Sequence, residues 1–141
     1  FRAGRRFVEV TDHRLKTDFA QFMKRLAAQY PHATRLCIVL DNLNTHFEKS
    51  FLETFGKKEA KDLLKRFEFH YTPKHASWLN VAEIEIGVMD TECTRRRIPD
   101  KKTLATEVHA WRVRRNRQKK KINWRFTRQD ADNKLSKHYV K

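Results

Sequence analysis

An unbroken apolar run, Leu36-Cys37-Ile38-Val39-Leu40, constrains this chain more than any other stretch. A run so short, with Ile and Val inside it, predicts a strand buried on both faces, as found mid-sheet in α/β proteins. It ends in Asp41, where open α/β sheets place their ligands. Asn42 and Asn44 break the strand, and His46 follows close enough to face the same crevice. Two readings of Asp41 stand open. It turns the chain after a core strand, or its carboxyl group is a metal ligand.

Charge narrows the field. The 141 residues carry 32 Lys and Arg against 17 Asp and Glu, a formal net charge of +15. The usual partner of so basic a chain is a polyanion, most commonly the phosphate backbone of nucleic acid. The two cysteines, Cys37 and Cys93, each lie in apolar context and form neither a C-x-x-C pair nor a zinc pattern with the seven histidines. They read as small buried hydrophobes of a reducing compartment. No stretch approaches the roughly 20 apolar residues of a membrane span, and no signal peptide is visible. A cytoplasmic, nucleoid-associated protein with no membrane partner is expected.

Along the chain, Phe7-Val8-Glu9-Val10-Thr11 alternates and is β-branched, which predicts a strand. Thr17 is the expected N-cap of a helix whose buried stripe is Phe19, Phe22, Met23, Leu26 and Tyr30. With the run at 36–40, the order so far is β-α-β, which favours parallel strands. Two short helices are expected at Glu48 to Phe55 and Lys57 to Arg66, punctuated by Gly56, and Phe67 to Tyr71 alternates as another strand. After the loop 72–80, a helix over Asn80 to Thr94 places Leu79, Ala82, Ile86, Met89 and Cys93 on one stripe. Glu83, Gly87, Asp90 and Thr94 share an edge of it. Asp100 is the N-cap of a further helix with Leu104, Val108 and Trp111 inside, and Thr127 to Asp130 opens a last one. With no repeat and no long linker, residues 1–141 read as a single domain with a basic helical C-terminal region.

Two acids stand out by position: Asp41 at a strand end, and Glu83 in the first turn of a helix that follows a strand and a loop. Phosphoryl transfer from water or a 3′-hydroxyl to a DNA phosphate suits two divalent metals, one on the nucleophile and one on the leaving oxygen. Magnesium takes hard oxygen ligands and few from protein, leaving places for phosphate and water. Manganese is the alternative ion. Glu85 rivals Glu83, but two residues on a helix are about 200° apart, so both cannot face one metal. Periodicity does not choose between them. The small Gly87 and Thr94 beside Glu83 favour it by leaving room for nucleic acid.

The pattern Asp41-Asn42-x-x-x-His46, then Thr72-Pro73-x-His75-x-Ser77-x-Leu79-Asn80-x-x-Glu83, resembles the catalytic core of bacterial insertion-sequence transposases of the Tc/mariner superfamily, specifically the IS six-thirty group. The likeness runs from Arg6 through Phe126. It implies an RNase H-like mixed sheet flanked by helices, a DD(E/D) triad binding two magnesium ions, and DNA strand cleavage and transfer at the element's ends. Position by position, Asp41 corresponds to the second acid and Glu83 to the third; both would be catalytic and metal-binding. Glu85 corresponds to no catalytic position. The family's first Asp lies on a strand upstream of the one expected at Phe7 to Thr11, so no residue here takes that role, and Asp12 follows the wrong strand. The resemblance therefore implies the C-terminal part of such a core, lacking the first strands, with an N-terminal transposase chain or segment as partner. It also implies a homo-oligomer in the active complex.

Asn42, His46, Lys74, His75 and Ser77 match the same pattern as phosphate-contacting or positioning groups. Arg95, Arg96 and Arg97, with Arg114, Arg115 and Lys119 in the basic run after Trp111, are the expected sequence-independent DNA contacts. Two other readings remain compatible: a non-catalytic basic DNA-binding module, and a nuclease on the same fold.

Overall fold

The computed structural model describes residues 4–41, 47–72 and 81–139. Among them are two strands and five helices, a mixed α/β arrangement. Helix α1 spans Lys16–Ala28, strand β1 Leu36–Leu40, helix α2 Phe47–Leu64 and strand β2 Phe67–Tyr71. Helix α3 covers Ala82–Met89 and runs into a π-helical turn, Asp90–Thr94. Helices α4, Lys101–Arg117, and α5, Arg128–Tyr139, follow.

The local signals explain most boundaries. Leu15, not Thr17, precedes the first turn of α1, and its N–H donates to the Asp18 carboxylate at 2.8 Å. At the other end of α1, the Arg66 guanidinium donates to the carbonyls of Ala27, Tyr30 and Ala33. The guanidinium thus sits at the C-terminal end of α1, where the helix dipole favours positive charge. Helix α2 is two pieces joined at Gly56, as expected; its φ of 75° lies where side chains other than hydrogen are strained. Asp100 caps α4 by accepting the Thr103 N–H at 2.8 Å. Thr127 and Asp130 bond each other's backbone N–H at the start of α5, a reciprocal cap.

β1 and β2 pair in parallel, Leu36 opposite Phe67 through Leu40 opposite Tyr71. The β-α-β unit is thus β1-α2-β2. Among the described residues the expected earlier strand, Phe7 to Thr11, enters no ladder, yet its alternation is real. Phe7 stacks on Phe22 and Glu9 pairs with Arg25, both on α1, while Val8 and Val10 pack against the cluster of Cys93, Val108 and Trp111. The segment is threaded between two cores, so its period-2 pattern records two packed sides rather than hydrogen-bonded neighbours.

The first core joins α1, α2 and the sheet through Ala20, Met23, Ala27, Phe51, Ala60 and Phe67. Phe51 is fully enclosed at its centre, with Phe19, Phe55 and Phe67 around it. The second core, Cys93, Val108 and Trp111, lies between the π turn and α4.

Two burial expectations are overturned. β1 is covered on one face only: Leu36 and Ile38 pack into the first core, whereas Cys37 and Val39 are exposed. The helices that cover the sheet, α1 and α2, pack on one side of it, so a continuous apolar run here does not mean burial on both. Cys93 is buried as expected, and burial raises its thiol pKa; Cys37 is not buried. On α3, Ala82 and Ile86 are exposed while Glu85 turns inward with Val88 and Met89. Two buried arginines drawn to Glu85 set that helix's rotation. No described helix is long and apolar enough to cross a membrane.

Candidate active site

The parallel register sets the site's frame. Leu40 and Tyr71 are partners, and the Thr72 N–H donates to the Leu40 carbonyl at 2.8 Å. Asp41 and Thr72 therefore leave the sheet side by side at its carboxyl edge, the edge at which α/β proteins hold ligands. Asp41 is half-buried and lines a cleft of about 520 Å³ with Glu9, Thr11, His13, Asp18 and Leu40. Asn42, His46, Lys74, His75 and Ser77 fall in residues 42–46 and 73–80, which lie outside the described residues.

Helix α3 begins at Ala82, shortly after the second of those segments. Val81 and Ala82, at the start of α3, line a cleft of about 680 Å³ together with Val39 of β1. Glu83 is exposed in the first turn of α3, and among the described residues it makes no hydrogen bond or ion pair. Its edge of the helix is open: a Cβ added at Gly87 would meet nothing within 4 Å among the described residues. Asp41 and Glu83 thus come from separate elements, Asp41 from the end of β1 and Glu83 from the first turn of α3. Glu83 is not among the residues lining the Asp41 cleft.

Glu85 is engaged quite differently. Arg6 donates to both carboxylate oxygens, Nε to Oε2 at 2.8 Å and Nη2 to Oε1 at 2.6 Å. Arg115 adds Nη2 to Oε1 at 3.1 Å. The three side chains are 15%, 8% and 10% exposed, which makes this a buried charge cluster. The Arg6 hydrogen bonds, reinforced by those of Arg115, hold the Glu85 carboxyl at about 2, although partial burial acts in the opposite direction. Arg115 also reaches Glu92, whose other oxygen accepts the Trp111 indole N–H at 2.8 Å. Asn116 closes the same region by pairing its amide with both the N–H and the carbonyl of Arg6.

This network ties the N-terminal segment to α3, the π turn and α4. Glu85 is therefore neither a solvated helix flank nor a metal ligand; a cation there would have to displace two guanidinium groups. The absence of a catalytic counterpart for Glu85 in the family pattern fits this structural role.

The same network corrects one expected DNA contact. Arg115 is 9% exposed with its guanidinium committed to Glu85 and Glu92, so it does not present charge to a phosphate. The other cations are at the surface. Arg95, Arg96 and Arg97 are exposed just after the π turn, with Arg96 paired to Glu107. Arg114 lies at the edge of the Glu92 cluster at 4.0 Å, and Lys119 is exposed past the end of α4. Asp12 pairs with Lys101 at the start of α4, which lowers its pKa.

Residues 2–105 match the family described as DDE superfamily endonuclease. The chain belongs to that family. The matched residues span both strands, α3 and both acids, and leave the basic end of α4 and all of α5 outside. Domains of this DDE superfamily act on DNA and generally use divalent metals. No curated protein and no solved structure matches the chain.

Proposed function

We propose that residues 1–141 form one domain, the C-terminal part of an RNase H-like transposase core of the IS six-thirty group, in which Asp41 and Glu83 are the second and third acids. The observation that carries the reading is the family match extending through both residues, with Asp41 at the carboxyl edge of the sheet and Glu83 exposed in the first turn of α3.

The donor set fits the metal. Both groups offer hard oxygen and they come from separate elements, and Glu83 is not held by arginines as Glu85 is; magnesium favours such ligands over nitrogen and sulfur. A bound divalent ion would supply Lewis-acid activation of the attacking water or 3′-hydroxyl and of the leaving oxygen. The protein's own tasks are positional. Asp41 and Glu83 hold charge at the sheet edge, and Asn42, His46, Lys74, His75 and Ser77 orient the phosphate and the strand around it. Arg95, Arg96, Arg97, Arg114 and Lys119 grip phosphates away from the reacting centre, where contacts set register without reading sequence.

The test uses the chain together with a polypeptide supplying the first Asp, on DNA carrying element ends, with Mg²⁺. Asp41→Ala and Glu83→Ala should each abolish strand cleavage while DNA binding persists. Cleavage at a comparable rate without Glu83 would overturn the assignment of the third acid.

A further inference from the structure

Strand register brings Cys37 of β1 beside Glu68 and His70 of β2, some thirty residues on in the sequence. Cys37 and Val39 point from β1 to the face opposite the first core, and Cys37 is the register partner of Glu68 on β2. Glu68 and His70 lie two residues apart on a strand and so share a face. One His70 nitrogen, Nε2, is 2.9 Å from Glu68 Oε1. A Cys37, a Glu68 and a His70 ligand atom all lie within 4.8 Å of one another. Arg35 donates to the remaining carboxylate oxygen, Glu68 Oε2, at 3.1 Å.

We propose that this face of the sheet is a transition-metal site for Zn²⁺, distinct from the hard-oxygen site at Asp41 and Glu83. Zinc binds thiolate, imidazole and carboxylate at about 2.0–2.3 Å, which puts neighbouring ligand atoms roughly 3–4 Å apart. The ligand atoms, all within 4.8 Å of one another, already lie near that spacing. Sulfur and nitrogen donors select zinc and its neighbours and reject magnesium, which requires oxygen. Arg35 orients the carboxylate by occupying the oxygen turned away from the ion, the part an outer partner plays at metal centres. Three protein ligands leave a fourth position facing solvent, for water. On binding, the Cys37 thiol releases its proton, and the ion takes up the place between Nε2 and Oε1. The ion then cross-links β1 to β2 on the face of the sheet opposite the first core.

The test titrates the metal-free chain with Co²⁺, a spectroscopic stand-in for Zn²⁺. Thiolate-to-cobalt charge-transfer absorption should grow to saturation at one equivalent and disappear on adding Zn²⁺. Cys37→Ser should remove the band and His70→Ala should weaken Co²⁺ binding at least about tenfold, both with unchanged far-ultraviolet circular dichroism. Cys93→Ser and Asp41→Asn should keep the band. Zn²⁺ should also slow alkylation of Cys37 by iodoacetamide in the native chain. Absence of thiolate absorption, or a band that survives Cys37→Ser, would overturn the site.

Discussion

Glu85→Gln isolates the charge cluster that joins the N-terminal segment to α3 and α4. The substitution keeps the shape and removes the charge, leaving Arg6 and Arg115 buried against an amide. The carboxyl group sits at about 2 in the folded protein against an ordinary 4.5. A shift of that size corresponds to about 3 kcal/mol of folding free energy near pH 7. That is a large share of the stability of an ordinary domain. Independent reasoning about buried pairs gives the same scale, about 3–5 kcal/mol for removing one partner.

The sign of the pH dependence follows from the depressed value. The stabilisation is fully present above the unfolded value of 4.5 and is lost as pH falls from there toward 2. At pH 3 only about 1 kcal/mol of the difference between wild type and Glu85→Gln should remain. Urea unfolding followed by tryptophan fluorescence at pH 7 and at pH 3 measures both values. A loss under about 1 kcal/mol at pH 7, or a difference that does not shrink at pH 3, would refute the account of the cluster. Activity lost in Glu85→Gln should track the unfolded fraction, whereas Glu83→Ala should leave stability within about 0.5 kcal/mol of wild type, as exposed substitutions do.

Two further outcomes test the core and the charged surface. Phe51→Ala empties the centre of the first core and should cost about 3–5 kcal/mol in urea unfolding; a cost near 1 kcal/mol would mean that the phenylalanines around it close the space. Log affinity for DNA should fall linearly with log salt, and reversing Arg97 or Lys119 should each reduce that slope by about 1 without changing the melting temperature. Reversing Arg115 should instead unfold the chain, and an Arg115→Glu variant that melts like wild type would return that residue to the DNA-contacting set.

The sequence carried local instructions well and long-range ones poorly. Gly56, Asp100 and the Thr127–Asp130 pair act within a few residues, and the helix boundaries they mark are where composition placed them. The run at 36–40 did form a strand, but hydrophobicity alone could not reveal that the covering helices lie on one side. Phe7 to Val10 has the period of a strand because two cores flank it, a distinction that alternation cannot make. Rotation of α3 was missed for a related reason. An apolar stripe at Ala82 and Ile86 competes with a carboxylate at Glu85, and pairing Glu85 with two buried arginines outweighs burying Ile86. The signal that could have found it is Arg6 and Arg115, at opposite ends of the chain. The Cys37, Glu68 and His70 group escaped for the same reason: searches for zinc ligands read spacing along the chain, and these three meet across a ladder.

The excess of cationic side chains therefore has two kinds of member. Arg66 closes the end of α1, and Arg6 and Arg115 are spent inside the fold on Glu85 and Glu92. Each can be buried because a planar guanidinium offers several donors to one carboxylate or a row of carbonyls, which a lysine ammonium does so less well. Lys119, Lys120 and Lys121, with Arg95 and Arg97, remain at the surface. Net charge counts both kinds alike. The polyanion-binding capacity of the chain is set by the second kind, and its dependence on an intact fold by the first. The two meet on α4, where Arg114 faces outward one residue before Arg115 turns in. A helix with that arrangement locks its own orientation through one arginine and offers charge through the next, so the basic surface is held in a fixed relation to α3 and the acid it carries.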